Sequence, residues 1–213
     1  AQHGVPVSVC LYRGWGPLAD SLIQAGVPVV PLPKELWSRP LSGISALIRP
    51  LIEALESLAF IIRLARRIRR DRIDVLQTHM FSAGLWGRLA ARLAHPVRGI
   101  PVIITEHTLR AGGEGSKRQF FNRVLAPLAS AVVAVSEEIA AHVKAAWALE
   151  ARHLVVIPNA VDTLPYEAAA RERAITRGDP LQPFNLASVG RLVAVKRHDL
   201  LLEALHLCRA RGK

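Results

Sequence analysis

Arg191 and Lys196 stand five positions apart at the end of an apolar run, Phe184 to Leu192, and are followed by Asp199, Leu200, Leu201, Leu202 and Ala204. The run reads as a strand, and the residues after it as a helix that buries Leu201, Ala204, Leu205 and Cys208 at i, i+3, i+4 and i+7. Both cations then lie at the carboxyl end of a strand. That is the edge of an open α/β sheet where ligands bind, beside a helix N-terminus with free N–H groups. Arginine grips two phosphate oxygens in a fork and lysine adds a mobile point charge, so the pair suits a diphosphate. Ordinary solvated loop cations would show the same spacing. Upstream, His79 follows Val75-Leu76-Gln77-Thr78, and His107 follows Val102-Ile103-Ile104-Thr105-Glu106 in the same way. Neighbouring strands would bring the two imidazoles to one crevice. There a neutral ring can hydrogen-bond a hydroxyl and a protonated ring can face an anion. The plainer alternative, above all for His79, is a structural histidine satisfied at a strand end.

These side chains need a scaffold, and short apolar runs alternating with helical periodicity supply it. Strands are expected at Val5 to Leu11, Val27 to Leu32, Asp74 to Thr78, Val102 to Thr105, Ala131 to Val135 and Leu154 to Ile157. Their alternation with helices predicts an α/β, Rossmann-like parallel sheet covered on both faces. The longest helix carries Ile44, Leu47, Ile48, Leu51, Ile52, Leu55, Leu58, Ala59 and Ile62 on one stripe, and Pro50 should kink it or begin it. Its end holds Arg63, Arg66, Arg67, Arg69, Arg70 and Arg72. These either complement the helix dipole or dock on an anionic membrane. Ser136 reads as a helix N-cap, with Glu137 and Glu138 in the first turn. Lys117 and Arg118 close a glycine-rich segment, Gly112 to Arg118, that reads as a solvated basic loop able to order around an acceptor. After Asp162 the apolar pattern lapses until Pro183, as in an interdomain linker with one short charged helix.

Two segments carry a family resemblance. Val156-Ile157-Pro158-Asn159-Ala160-Val161-Asp162, together with Val189-Gly190-Arg191-Leu192, Lys196, Asp199 and the leucines that follow, resembles glycosyltransferase family 4. Those enzymes are retaining and nucleotide-sugar-dependent, with the two-Rossmann GT-B fold. The resemblance implies an acceptor-side domain at 1–162 lacking its first βα unit, a linker at 163–183, and the first βα unit of a donor-binding domain at 184–213. The chain is thus expected to be an internal fragment, inactive alone. By the same resemblance Arg191 and Lys196 contact the donor diphosphate, and His107 lines the interdomain cleft near the reacting carbon. Ser136 and Glu137 fall beside that cleft, and Asn159 and Asp162 mark the linker. No metal and no cofactor is implied, the nucleotide-sugar being a substrate. Ala160 stands where the family has Gly, and a turn with φ > 0 there would tolerate it poorly.

Composition bounds the alternatives. The chain has 213 residues, half of them apolar, and two cysteines. A sizeable core is therefore possible, and a disulfide framework is not indicated. Cys10 on a strand and Cys208 on a helix read as small buried hydrophobes in a reducing, cytoplasmic setting. A net charge of +11 favours anionic partners: a nucleotide-sugar, a lipid-linked acceptor at an anionic membrane surface, or nucleic acid. Nucleic acid is the weakest of these, since aromatics make up 5% and no helix-turn-helix or zinc-finger spacing occurs. Gly14-Trp15-Gly16-Pro17-Leu18-Ala19, with Glu35 further on, imitates the dinucleotide fingerprint of an NAD-binding oxidoreductase module. Pro17, however, removes an N–H that the pyrophosphate needs. A non-catalytic anionic-surface binder is the third class.

Overall fold

The structure, a computed structural model, describes residues 4–11, 15–32, 48–108, 115–150, 153–164, 166–167, 170–171 and 186–211. The chain divides into two compact units, Ala1–Ala160 and Val161–Lys213. In the first unit every strand pairing is parallel. β1 (Val9–Leu11) pairs with β2 (Val29–Pro31) in one sheet, while β3 (Leu76–His79), β4 (Val102–Glu106), β5 (Ala131–Ala134) and β6 (Leu154–Val156) lie in that order in another. Parallel neighbours need long crossovers, and helices provide them. α1 (Pro17–Gln24), α2 (Arg49–Arg70), α3 (Phe81–Ala94), α4 (Ser116–Leu125) and α5 (Glu137–Trp147) each follow one strand and precede the next. The Rossmann-like α/β class expected from the alternation is the class observed.

β4 and β5 form the centre of the core through one face of the sheet, whereas Ile103, Ala131 and Val133 on the alternate face are half-buried, so the cover expected on both faces is observed fully on one. Val102, Ile104, Val132 and Ala134 are buried against Ala91 of α3 and against Ile139, Val143 and Trp147 of α5. The two strands were readable because Val102 to Ile104 and Ala131 to Val135 are continuous short apolar runs of strand length. β1 is shorter than expected. Val5 and Val7 are exposed and unpaired in the ladder, and Cys10 is exposed on the strand rather than buried.

Pro50 sits in the first turn of α2 and begins it, as a residue without an N–H can. The expected stripe on this helix is not the buried one. Leu51, Leu55 and Leu58 are exposed, whereas Phe60, Leu64, Ala65 and Ile68 pack on Trp86, Ala90 and Ala94 of α3. At about 100° per residue Phe60, Leu64 and Ile68 lie on the side of the helix opposite Leu55, while Ala65 continues the exposed stripe into the contact with α3. Phe60 and Trp86 anchor the contact, their rings 5.4 Å apart and tilted by 58°. Ile44 and Leu47 lie outside the described residues. The arginines at the end of α2 are largely engaged within the protein. Arg69 donates to the Ala94 and Leu93 carbonyls at the end of α3 (2.5 and 3.3 Å), and Arg67 and Arg70 pair with Asp71.

α3 lies directly on β3 because Gly87 allows it. A Cβ there would come within 2.6 Å of Thr78 Cγ2 and 3.3 Å of Leu76 Cδ2. Gly87→Ala should therefore lower the urea midpoint, since an overpacking cost of about 1 to 3 kcal/mol exceeds a gain in helix propensity of at most about 1 kcal/mol. An unchanged midpoint would mean that Thr78 turns aside freely.

The second unit departs most from expectation. Residues 186–192 form no strand, and among the described residues of this unit there is no strand for them to pair with. A strand exists only where a neighbour takes its N–H and C=O groups. α6 (His198–Ala210) forms as expected, but Ala204, Leu205 and Cys208 are exposed on it rather than buried. Phe184 lies outside the described residues, as does most of the expected linker. Residues 164, 166–167 and 170–171 within that linker are helical.

Candidate active site

The parallel register of β3 and β4 sets His79 beside Thr105, two residues before His107. Both histidines thus emerge at the carboxyl edge of the sheet. His79 Nδ1 and His107 Nε2 are 2.9 Å apart, with ring centres 5.2 Å apart and planes 26° from parallel. A centre-to-centre distance so much longer than the nitrogen contact leaves room only for the two ring radii. The rings therefore meet edge to edge in an N–H···N bond and are not stacked face to face. Burial, and then the nearby charge of His107, hold the His79 pKa below the usual histidine range, so His79 stays neutral further into the acid.

The backbone around His79 is tightly constrained. Gln77 Nε2 donates to Thr105 Oγ1 (3.2 Å), and the Met80 N–H reaches the Thr105 carbonyl at 3.4 Å. Met80 has φ 74° and ψ 161°, a region that side chains other than glycine rarely enter, at a cost of about 1 to 3 kcal/mol. Strain of this kind gathers where a side chain must be aimed, and here it lies between His79 and the start of α3.

α4 and α5 begin at the same edge. Lys117 and Arg118, expected in a loop, belong to the first turn of α4; Gly112, Gly113 and Glu114 lie outside the described residues. Lys117 is exposed, and the Arg118 guanidinium sits 4.2 Å from the Phe81 ring centre, a cation–π contact between α4 and the start of α3. Ser136 caps α5, accepting a hydrogen bond from the Ile139 N–H (3.2 Å), with Glu137 exposed in the first turn.

Beneath this edge lies a polar group that the sequence pattern did not single out. Arg88 on α3 is 1% exposed. Its Nε donates to the Gly84 carbonyl (2.9 Å) and its Nη2 to Asn122 Oδ1 on α4 (2.9 Å), while its charge faces Glu106, the residue before His107. Burial pulls its pKa down to about 10, partly opposed by Glu106.

In the second unit Arg191 and Lys196 are both exposed and flank a short turn that leads into α6. His198 closes the loop. Its Nε2 lies 3.2 Å from the Arg191 carbonyl and its Nδ1 3.3 Å from Ser188 Oγ. A carbonyl can only accept, so Nε2 carries the proton and, in the neutral ring, the Ser188 hydroxyl donates to Nδ1. Between the units' sequences, Asn159 and Asp162 are exposed, and Asp162 Oδ1 accepts from the Leu164 N–H (3.1 Å). Ala160 is not among the residues with positive φ, so it carries none of the strain expected for it.

Residues 1–163 match glycosyltransferase family 4. The chain belongs to that family. Among solved structures this family 4 chain resembles Anabaena Alr3699/HepE in complex with UDP and glucose, at a TM-score of 0.65 and 21% identity, covering 94% of this chain and 50% of that one. It also resembles Acinetobacter baumannii MurG, at a TM-score of 0.51 and 20% identity, covering 89% and 45%. The family 4 chain thus spans about half the length of the structures it matches. At these identities the likeness is one of fold, and the shared fold is the Rossmann-like α/β arrangement of GT-B enzymes. No curated protein sequence matches the chain.

Proposed function

We propose that the chain supplies the acceptor-side domain (1–162), the linker (163–183) and the opening βα unit (184–213) of a retaining, metal-independent glycosyltransferase. The enzyme would move a sugar from a nucleotide-sugar to a glycan or lipid-linked acceptor, and the chain alone would be inactive. The observation that carries this proposal is the hydrogen-bonded His79–His107 pair at the carboxyl edge of a parallel sheet, in a chain of family 4. A neutral His107 there can bond a sugar or acceptor hydroxyl, while Arg191 and Lys196 take up the charge of the departing diphosphate. The UDP in the complex of the HepE structure supports a nucleoside diphosphate as leaving group. The break in the sheet supports the missing first βα unit. In the doubly wound order 3-2-1-4-5-6, a sheet split into β1–β2 and β3–β6 lacks the first strand if β1 holds second place. The NAD-binding alternative is weaker, because Pro17 occupies the first turn of α1 and offers no N–H to a pyrophosphate.

An acceptor held at the inner face of a membrane would suit the chain's charge and the exposed row formed by Ile48, just before α2, and Leu51, Leu55 and Leu58 on it, which leads toward exposed Arg66. Among the described residues no helix is long and apolar enough to cross a membrane. The decisive experiment assays the whole protein for transfer from UDP-sugars and GDP-sugars. His107→Ala should lower turnover on the order of 100-fold with little change in melting temperature. A variant that mainly unfolds would make His107 a packing residue. Anionic vesicles should bind the protein at low salt and release it at high salt. Equal binding to neutral vesicles would remove the membrane from the proposal.

A further inference from the structure

The His79–His107 contact has two proton arrangements, and they differ in what they leave for a substrate. If His79 donates from Nδ1, then His107 accepts at Nε2 and carries its own proton on Nδ1. If His107 donates from Nε2, then His79 accepts at Nδ1, and both rings are in the Nε2–H form that free imidazole side chains favour. Only the second arrangement uses the commoner tautomer of both rings. The first requires both to take the rarer one.

We infer that His79 is a positioning residue for His107: it accepts the His107 Nε2–H, fixes the ring's tautomer and plane, and leaves His107 Nδ1 as a bare acceptor for a substrate hydroxyl. The hydroxyl as occupant rests on the function proposed above; the tautomer lock does not. Three observations agree on the lock. Edge-to-edge geometry directs the Nε2–H along the line between the ring centres. Among the described residues no other group bonds either nitrogen of His107, so its orientation depends on His79. The environment of His79 also suits an acceptor, because burial and the neighbouring ring keep it neutral. The described carboxylate next to His107 in sequence, Glu106, is buried, and its charge acts on Arg88. His79 in turn is held by the β3–β4 ladder and by strained Met80, which is what a positioning group requires.

Long-range 1H–15N spectra of the labelled 213-residue chain, recorded at mildly alkaline pH where free imidazoles are neutral, report which ring nitrogen carries each proton. In the native chain His107 should show a single form, with Nε2 protonated, Nδ1 bare, and the Nε2–H proton visible through slowed exchange with water. In His79→Ala that proton signal should be lost. His79→Asn, whose amide oxygen can accept at the same place, should restore it. A native His107 protonated on Nδ1 would overturn the inference, as would an Nε2–H signal that survives in His79→Ala. Because the His79 side chain is only partly covered and belongs to neither core cluster, the backbone spectrum of each variant should remain that of the folded chain; if His79→Ala does not fold, His79→Asn carries the test alone. Its failure to keep the Nε2–H signal would also overturn the inference. These spectra need no donor or acceptor, so a failed transfer assay and a failed tautomer lock would be told apart.

Discussion

Replacing Arg88 by alanine should remove about 3 to 5 kcal/mol of folding stability, because it breaks a buried ionic group by taking away one side. Arg88 is 1% exposed, and its guanidinium bonds the Gly84 carbonyl and Asn122 Oδ1 and acts on the charge of Glu106, itself only 8% exposed. Alanine would leave Asn122 Oδ1 buried without this donor and would deprive the Glu106 carboxylate of the cation that faces it. It would also open a cavity beside Trp147, whose ring centre lies 6.0 Å from the guanidinium carbon. Arg88→Met keeps the stem volume and should cost less than alanine. Adding Glu106→Gln to Arg88→Met should recover part of the loss, since a neutral amide tolerates burial beside the lost cation better than a carboxylate does. Urea denaturation of the four proteins gives the comparison. A loss below about 1 kcal/mol in Arg88→Ala would match an ordinary surface substitution and show that the network carries little. The effect should also reach the site, because Asn122 belongs to the helix that carries Arg118, and Glu106 directly precedes His107.

The Arg88 network also marks where sequence reasoning stopped. β4 and β5 were legible because each is a continuous apolar run of strand length, rich in β-branched residues. His79 and His107 were legible because each ends such a run, and parallel register then makes them neighbours. Nothing comparable distinguishes Arg88 from Arg92, one turn on along the same helix and exposed. An arginine is buried only when distant residues supply acceptors, and Asn122 lies 34 positions away. The stripe on α2 failed for a related reason. The helix has apolar residues on two sides, and periodicity cannot say which side meets α3. Phe184 to Leu192 has the composition of a strand, but a strand is a property of a sheet, and among the described residues of its unit 186–192 has no strand beside it. The φ of Met80 follows from the turn that joins β3 to α3, and methionine is not a residue whose presence announces such a turn.

For the second unit the largest expected effect is catalytic. In the whole protein, Arg191→Ala and Lys196→Ala should each cost about 2 to 4 kcal/mol of transition-state stabilisation, roughly a 30-fold to 900-fold fall in turnover. Folding should barely change, because both side chains are exposed and neither belongs to a core cluster. The loop that carries them is nonetheless ordered, with His198 bonded to the Arg191 carbonyl and to Ser188. Gly190 lets that ring approach: a Cβ there would lie 3.3 Å from His198 Nε2. Conservative variants separate fork from charge. Arg191→Lys should stay impaired if two phosphate oxygens are gripped together, whereas Lys196→Arg should keep much of its activity if only a positive charge is needed. His198→Ala, which removes bonds to the Arg191 carbonyl and Ser188 but neither of the side chains proposed to hold phosphate, should weaken donor binding by loosening the loop and leave melting nearly unchanged. Wild-type turnover in both alanine variants, measured with the donor the enzyme uses, would mean that these cations are solvated loop residues and that the diphosphate is held elsewhere.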